Sequence, residues 1–586
     1  MRPIGWWSRL GALVLVGATV CYGVPRLPLF AAHVTAQPAL AQAHDLDALL
    51  LAAATDLGPV SPNTTLSLVL ELRDPAAAKE ASDIAAIYTP GSKTYGHYLT
   101  AAEVAARYGP SPGEIAKLRS LLTALGLTPD WTAGNAWMTI EGPASRVEKI
   151  FGVTARWYRS PRGVKYYAAA QTPVLPGSLR PYVTAVGRLN SDFEPSNDAV
   201  PQGGLAPADL LASYDITPLR NAGIDGTGET VVFFESDGFA QADLDAFTNK
   251  YNLPPLQPVV KAGPTFPSPG GETEMDLEVV HEIAPGAKLL IYNFDSAAAA
   301  KSAKSDADYL NAELQLQTQM INESKGDILS QSWGICEKPF GAALANAFAS
   351  IYTQADAMGE SSFVSSGDNA AYECLRLAAR ETAPSPDYLA VPLPADAPGV
   401  TAVGGTRLSV TTGSPAGWYD ETVWEEPAET NGTGGGVSEY FPRPSWQVGP
   451  GVSDPTLNPQ NMRSIPDVSA DADPASGVAI YAPAGNTSGP TVGGGTSQSA
   501  PIWAGIAALI DEYLQQKGLQ PVGFMNPALY QIAAHPNPLT AFHDITAGSN
   551  LYYPATPGYD MASGLGTPDA WNLAQDLAVY ERGGGQ

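Results

Sequence analysis

At 586 residues, with 16% charged residues and a formal net charge of −27, the chain is too long for one ordinary domain. It is also too anionic for a nucleic-acid partner, whose phosphates select Lys and Arg patches. Many carboxyls with few ion-pair partners suit a protein that works in acid, where those groups protonate and the excess charge shrinks.

Arg2 and Arg9 flank the apolar run LGALVLVGATVCYGV, which is too short for a membrane span. Small residues at Ala39 and Ala41 offer a cleavage site after Ala41, so residues 1–41 read as a signal peptide and the chain as secreted. An uncleaved anchor is the alternative; once the segment is removed, no membrane association is expected. Cys21 lies in that segment, leaving Cys336 and Cys374 for the exported chain.

Residues 42–190 alternate strand-like pieces (TLSLVLEL, AWMTIEG) with helical ones (SPGEIAKLRSLLTALG, PASRVEKIFG), a small α+β unit. No candidate catalytic group stands out in it. Its helices carry Arg119, Arg146 and Lys149, which are expected to pair with carboxylates of the following domain. The stretch DFEPSNDAVPQGG has no periodicity and is rich in Pro and Gly, so residues 191–204 read as an exposed linker open to proteolysis.

From residue 205 to 586 the pattern becomes strand–helix alternation. Strand-like runs fall at ETVVFFES, AKLLIYNF, DILSQSW, SSFVSS and GVTAVGG, with helices such as GAALANAFASIYTQADAMG between them. Near-continuous apolar strands of this kind predict a parallel sheet covered by helices on both faces. In such sheets the working groups gather at the carboxyl ends of the strands. SSFVSS is followed by Gly367 and Asp368. Ahead of AKLLIYNF, Glu272 and Asp276 stand four apart and share a helix face, but Glu274 and Glu278 do so equally well, and a solvated acidic face is the bland reading.

Ser497, in GGGTSQSAP, opens the apolar run IWAGIAALI. A Ser there is most often a helix cap. Glycines that admit a substrate backbone, and a helix amino terminus aimed at developing negative charge, also suit a nucleophile. A nucleophilic Ser needs a base, and no histidine lies in a glycine-rich context, so the base of such a hydrolase is a carboxylate.

The ordered series GETEMDLEV, APGAKLLIY, SQSWG, SSGD, VTAVGGT, GGGVSEYFPRPSWQ, IPDVSADADP, GGGTSQSAP and FHDITAGSN…GYDMASGLGTPD resembles the sedolisins, the serine-carboxyl peptidases. The resemblance spans residues 64–570. It implies an α/β, subtilisin-like fold preceded by an inhibitory prosegment, and an endopeptidase active in acid. Residue by residue, Ser497 matches the nucleophile, Glu272 the base, Asp276 the acid that orients it, and Asp368 the acid of the oxyanion hole. A carboxylate base has a pKa near 4, matched to acid, and Asp368 must carry a proton to donate to an oxyanion. The resemblance further implies one Ca²⁺ ion held by the side chains of Asp544 and Asp560 and the carbonyls of Ile545, Thr556 and Gly558; Thr556 stands where the family commonly has Gly.

Cys336 and Cys374 each follow a predicted strand, in loops that meet if the strands are neighbours, as in some secreted members; one disulfide or two free buried thiols fit. A monomer acting on protein or peptide substrates, inhibited by its own prosegment, is expected. A non-catalytic binding protein would lack one of the four residues, and a neutral subtilisin-type enzyme would need His at 272. A tripeptidyl-peptidase of the same family differs in the closure of the cleft, which the sequence does not display.

Overall fold

The computed structural model describes residues 51–583 apart from 52–53, 75, 161–164, 192–203, 262–267, 296–298, 300–305, 325–326, 378–383, 485–486 and 536–539. The expected signal peptide and nearly all of the linker lie outside the described residues. No helix among the described residues is long and apolar enough to cross a membrane.

The carboxy-terminal region is built on one twisted sheet. Its central strands are β1 (Thr230–Glu235), β2 (Lys288–Asn293), β3 (Ile328–Gln331), β4 (Ser361–Ser365) and β5 (Thr401–Val410), in the spatial order β5-β4-β3-β1-β2 and all parallel. These are the five strand-like runs read in the sequence. Trp418–Val423 adds an antiparallel edge to β5. Because β2 lies on one side of β1 and β3 on the other, the order reverses at β1, and a crevice opens at the carboxyl ends of β1 and β3.

Alternate residues of each strand enter opposite layers. Val231, Phe233 and Phe363 pack against α1 (Glu272–Ile283) and α4 (Thr496–Gln516), whereas Val232, Phe234 and Leu329 face α2 (Asp306–Glu323) and α3 (Ala342–Met358). All twelve residues of α1 are buried, so its five carboxyls do not form a solvated face.

The amino-terminal unit has a four-stranded antiparallel sheet, ordered Thr128–Asp130, Trp137–Pro143, Thr65–Leu72, Val183–Val186. Ser111 accepts from Glu114 N–H to start helix Pro112–Ala124, and Gly152 (φ 70°) ends helix Ala144–Phe151. Leu68, Leu118, Leu122 and Phe151 give this unit a core of its own, while Val69 and Trp137 join the core formed with α2 and α3.

Its docking contacts are mostly neutral. Asn346 Nδ2 donates to Glu71 Oε2 at 2.8 Å, and Leu99 N–H donates to Ala357 O at 2.8 Å. The expected pairing of Arg119, Arg146 and Lys149 with the following domain is not found: none of the three forms an ion pair among the described residues. Arg119 instead donates to Trp131 O at 2.8 Å, and Arg146 lies beside Gly126, both within their own unit. Cys336 and Cys374 are bridged, with Cα atoms 5.2 Å apart.

Candidate active site

Four segments converge at the crevice. β1 ends on Glu235, Ser332 follows β3, Asp368 follows β4, and Ser497 lies in the first turn of α4. α1 crosses the same edge and starts with Glu272. Asp237, just past β1, caps α1: its carboxylate accepts from the N–H groups of Glu272 and Thr273, each at 3.2 Å. Gly270 makes room for that cap, since a Cβ there would stand 2.1 Å from Asp237 Oδ2. Gly495 does the same for Asp368: φ is +79° and a Cβ would lie 2.5 Å from Asp368 Oδ2.

Ser497 is 4% exposed; its Oγ lies 3.5 Å from Ser332 O, and its hydroxyl stands close enough to the Glu272 carboxyl to favour the charged form of that group. Behind Glu272, Asp276 lies against Glu235, whose charge adds to burial in raising it, and Ser332 Oγ donates to Asp276 Oδ2 at 2.8 Å. The same hydroxyl oxygen lies 3.2 Å from Ser497 O, tying the acid pair to the serine backbone. Glu235 also accepts from the Trp333 indole at 3.0 Å. Asp368 Oδ1 accepts from Thr496 N–H at 2.7 Å and Thr496 Oγ1 at 2.8 Å, so its carboxyl sits at the amino terminus of α4 one residue from Ser497.

Burial, and next the charge of Glu235, push Glu272 and Asp276 well above the usual carboxylate range; the Ser497 hydroxyl pulls Glu272 the other way. Glu235 is raised too, by burial and then by the charge of Asp237. Three buried carboxyls this close cannot all ionise, so the cluster holds protons in common and titrates as a unit.

Residues 52–191 match the Pro-kumamolisin activation domain, and residues 267–530 match the subtilase family. Kumamolisin from Bacillus sp. strain MN-32 is 31% identical over 563 residues, spanning 89% of this chain and 94% of kumamolisin. The structure of Pseudomonas sedolisin, a serine-carboxyl proteinase complexed with pseudo-iodotyrostatin, superposes with a TM-score of 0.51 at 27% identity, covering 67% of this chain and all of that one. The chain belongs to the sedolisin family. It is therefore a serine-carboxyl peptidase made as a zymogen with an activation domain. Tripeptidyl-peptidase 1 of Canis lupus familiaris is also similar, at 26% identity over 88% of this chain and 92% of that protein.

In this sedolisin, the four residues singled out by sequence lie together. The pair left open by spacing points elsewhere: Glu274 accepts from Ala240 N–H at 2.8 Å, and Glu278 from Tyr481 N–H at 2.7 Å. His281 is buried, with Nε2 2.8 Å from Pro254 O, away from Ser497's partners. Glu235, Asp237 and Ser332 were not read from the sequence. A signal for Glu235 existed, since a carboxyl that closes an apolar strand must find partners or a proton.

The loop named for calcium brings its two carboxylates onto one stretch of backbone. Gly558 N–H donates to Asp544 at 3.0 Å, and Thr556 N–H donates to Asp560 Oδ2 at 2.8 Å. Among the described residues, no three His, Cys, Asp or Glu side chains form a metal-holding group. The proposed set needs only two carboxylates, completed by carbonyls. Asp560 Oδ1 also accepts from the N–H groups of Ala562 and Ser563 at 2.9 and 2.8 Å, and the all-oxygen set of two carboxylates and three carbonyls is of the kind a hard divalent cation takes.

Proposed function

We propose that the chain is a secreted, acid-active endopeptidase in which Ser497 attacks the peptide carbonyl and passes its proton to Glu272. The supporting observation is the Ser497 hydroxyl beside the buried Glu272 carboxyl, backed by the Asp276–Glu235 pair. A cluster carrying one negative charge takes the serine proton without creating a second charge, and Asp276 orients Glu272 within it. Asp368, protonated, donates to the oxyanion beside the amino terminus of α4; losing such a donor typically costs ~2.7–4 kcal/mol of barrier. Deprotonation would turn the same group into a repelling charge, so activity falls as pH rises toward neutral.

The domain reading follows: signal peptide 1–41, prosegment 42–190, processing linker 191–204, and peptidase 205–586. The substrates are proteins or peptides, the prosegment is the intramolecular inhibitor, and the enzyme acts as a monomer. Ser497→Ala should leave the precursor uncut on acidification, whereas the native chain should gain a new amino terminus between Ser191 and Leu205, read by amino-terminal sequencing. Self-processing by the Ser497→Ala protein would contradict the role of Ser497.

A tripeptidyl-peptidase is the second reading, favoured by the likeness to tripeptidyl-peptidase 1. An internally quenched peptide blocked at its amino end separates the two: an endopeptidase cuts it and a tripeptidyl-peptidase does not.

One Ca²⁺ would be held by Asp544 and Asp560 with the carbonyls of Ile545, Thr556 and Gly558, cross-linking the carboxy-terminal loop. Exhaustive chelation should lower Tm and added calcium restore it; binding at 100-fold Kd is worth ~2.7 kcal/mol. An unchanged Tm with no metal in the purified protein would remove the site.

A further inference from the structure

The loop that carries Asp368 is held from two sides, and the second side has no assigned role. On the first, backbone pairing fixes it: Gly432 N–H donates to Asp368 O at 3.0 Å, and Gly434 N–H donates to Gly367 O at 2.6 Å. On the second, a buried ion pair spans the gap to the end of β3. Arg376 Nε lies 3.0 Å from Glu373 Oε1, the two side chains being 8% and 3% exposed. Arg376 Nη2 donates to Gly334 O at 3.1 Å, and Asn369 Nδ2, next to Asp368, donates to Glu373 Oε2 at 3.1 Å. The carboxylate also rests on the loop backbone, since a Cβ on Gly367 would be 2.7 Å from Glu373 Oε2. The Cys336–Cys374 bridge ties the same two segments covalently.

These links close a circuit. Ser497 O meets Ser332 Oγ; two residues on, Gly334 O meets Arg376; Arg376 meets Glu373; Glu373 meets Asn369; and Asp368 meets Thr496, which precedes Ser497. A buried ion pair is a poor source of stability, because desolvation offsets most of the attraction. It can still hold a position, because Arg376 Nη2 donates to Gly334 O while the guanidinium charge keeps Glu373 against the loop of Asp368.

We propose that Glu373 and Arg376 are positioning residues that fix the aim of Asp368 at the oxyanion, with the Cys336–Cys374 bridge limiting how far the loop can part from Gly334. This rests on the reading of Asp368 as the oxyanion donor. Loosening the pair displaces the donor without touching Ser497, Glu272 or Asp276, so turnover falls while substrate binding holds.

The test compares Asp368→Ala, Arg376→Met, Arg376→Lys, Glu373→Gln and the Glu373→Gln/Arg376→Met double variant. Each precursor is matured in trans by the wild-type enzyme, and kcat, KM and Tm are measured. Misplacement of a reacting group by about 1 Å costs on the order of 10²-fold. Arg376→Met should therefore lower kcat by roughly 10- to 100-fold with KM within about twofold. The double variant should be no worse than either single change, because the two side chains act as one unit. Arg376→Lys should fall in between, and it decides the matter if Arg376→Met does not fold: a lower kcat at unchanged Tm supports the assignment. Wild-type kcat at lowered Tm in the Arg376 variants, with Asp368→Ala inactive, overturns the positioning role and leaves the oxyanion reading standing. A fully active Asp368→Ala overturns that reading instead, and the positioning role with it.

Discussion

Two sets of buried carboxyls in this sedolisin do opposite things with the same physics. In the cleft, Glu272, Asp276 and Glu235 are raised by burial, yet one oxygen of Asp276 accepts from the Ser332 hydroxyl and one of Glu235 from the Trp333 indole, and the three carboxyls lie against one another. Beneath the prosegment, Glu360 is fully buried, and neither of its oxygens, nor Asp356 Oδ1, has a hydrogen-bond partner among the described residues. Burial pushes Glu360 and Asp356 well above the usual range, and the charges of Asp327 and Asp356 push Glu360 further. Over them lie phenols rather than cations. Tyr88 Oη donates to Asp356 O at 2.5 Å, and Tyr98 fits against Gly359, where φ is +83° and a side chain would strike its ring.

A cavity of about 330 Å³ extends the second set. It lies between the prosegment and α3 and is lined by Glu71, Asp74 and Glu80 with no Lys or Arg. Burial, then the charge of Asp74, push Glu80 up to about 7. The nearby Lys79 and Arg107 pair with Asp83 and Glu103 of the prosegment itself. Raised carboxyl pKa values mean that the docked state holds more protons than the undocked one. Docking is then fully supported below about pH 4.5, the ordinary Glu value, and weakens as pH rises through the raised values. Through these groups a fall in pH tightens the docked prosegment rather than loosening it.

The largest expected effect separates the cleft from its own surroundings. Glu272→Gln should lower kcat by ~10²–10⁴, the usual contribution of a general base, whereas Glu278→Gln on the same buried helix should keep most of the activity. An essential Glu278 would move the base to the wrong face of α1. A smaller effect tests the interface. In a Ser497→Ala precursor nicked within residues 192–203 by an added protease, the prosegment should bind about tenfold or more tightly at pH 4 than at pH 7, one pKa unit of linkage being tenfold. Glu360→Gln with Asp356→Asn should flatten that difference. Tighter binding at pH 7 would restore an ion-pair latch.

The contrast also marks what a sequence can disclose. All five central strands and the helices beside them were legible, because apolar runs bounded by Gly and Asp encode burial directly. Their spatial order was not, since the reversal at β1 depends on pairings that no local pattern records. Ser497, Glu272, Asp276 and Asp368 were reached through ordered motifs; spacing alone left the Glu272/Asp276 and Glu274/Glu278 pairs level, the resemblance chose the first, and in the structure Glu274 and Glu278 face Ala240 and Tyr481 instead. Glu235 was missed because it looks like the end of a strand. Arg119 and Arg146 misled because charge type was read without direction: both point into their own unit.

The central claim, that a carboxyl cluster replaces an imidazole as the base for Ser497, is tested most directly by the pH–rate profile of the matured enzyme on an internally quenched peptide, run beside Glu272→Gln. Activity should be confined to acid and decline toward neutral pH as the Glu272–Asp276–Glu235 cluster loses the protons it shares, with Glu272→Gln inactive throughout. Full activity at pH 7–8, or a Glu272→Gln enzyme that keeps the native profile, would contradict it.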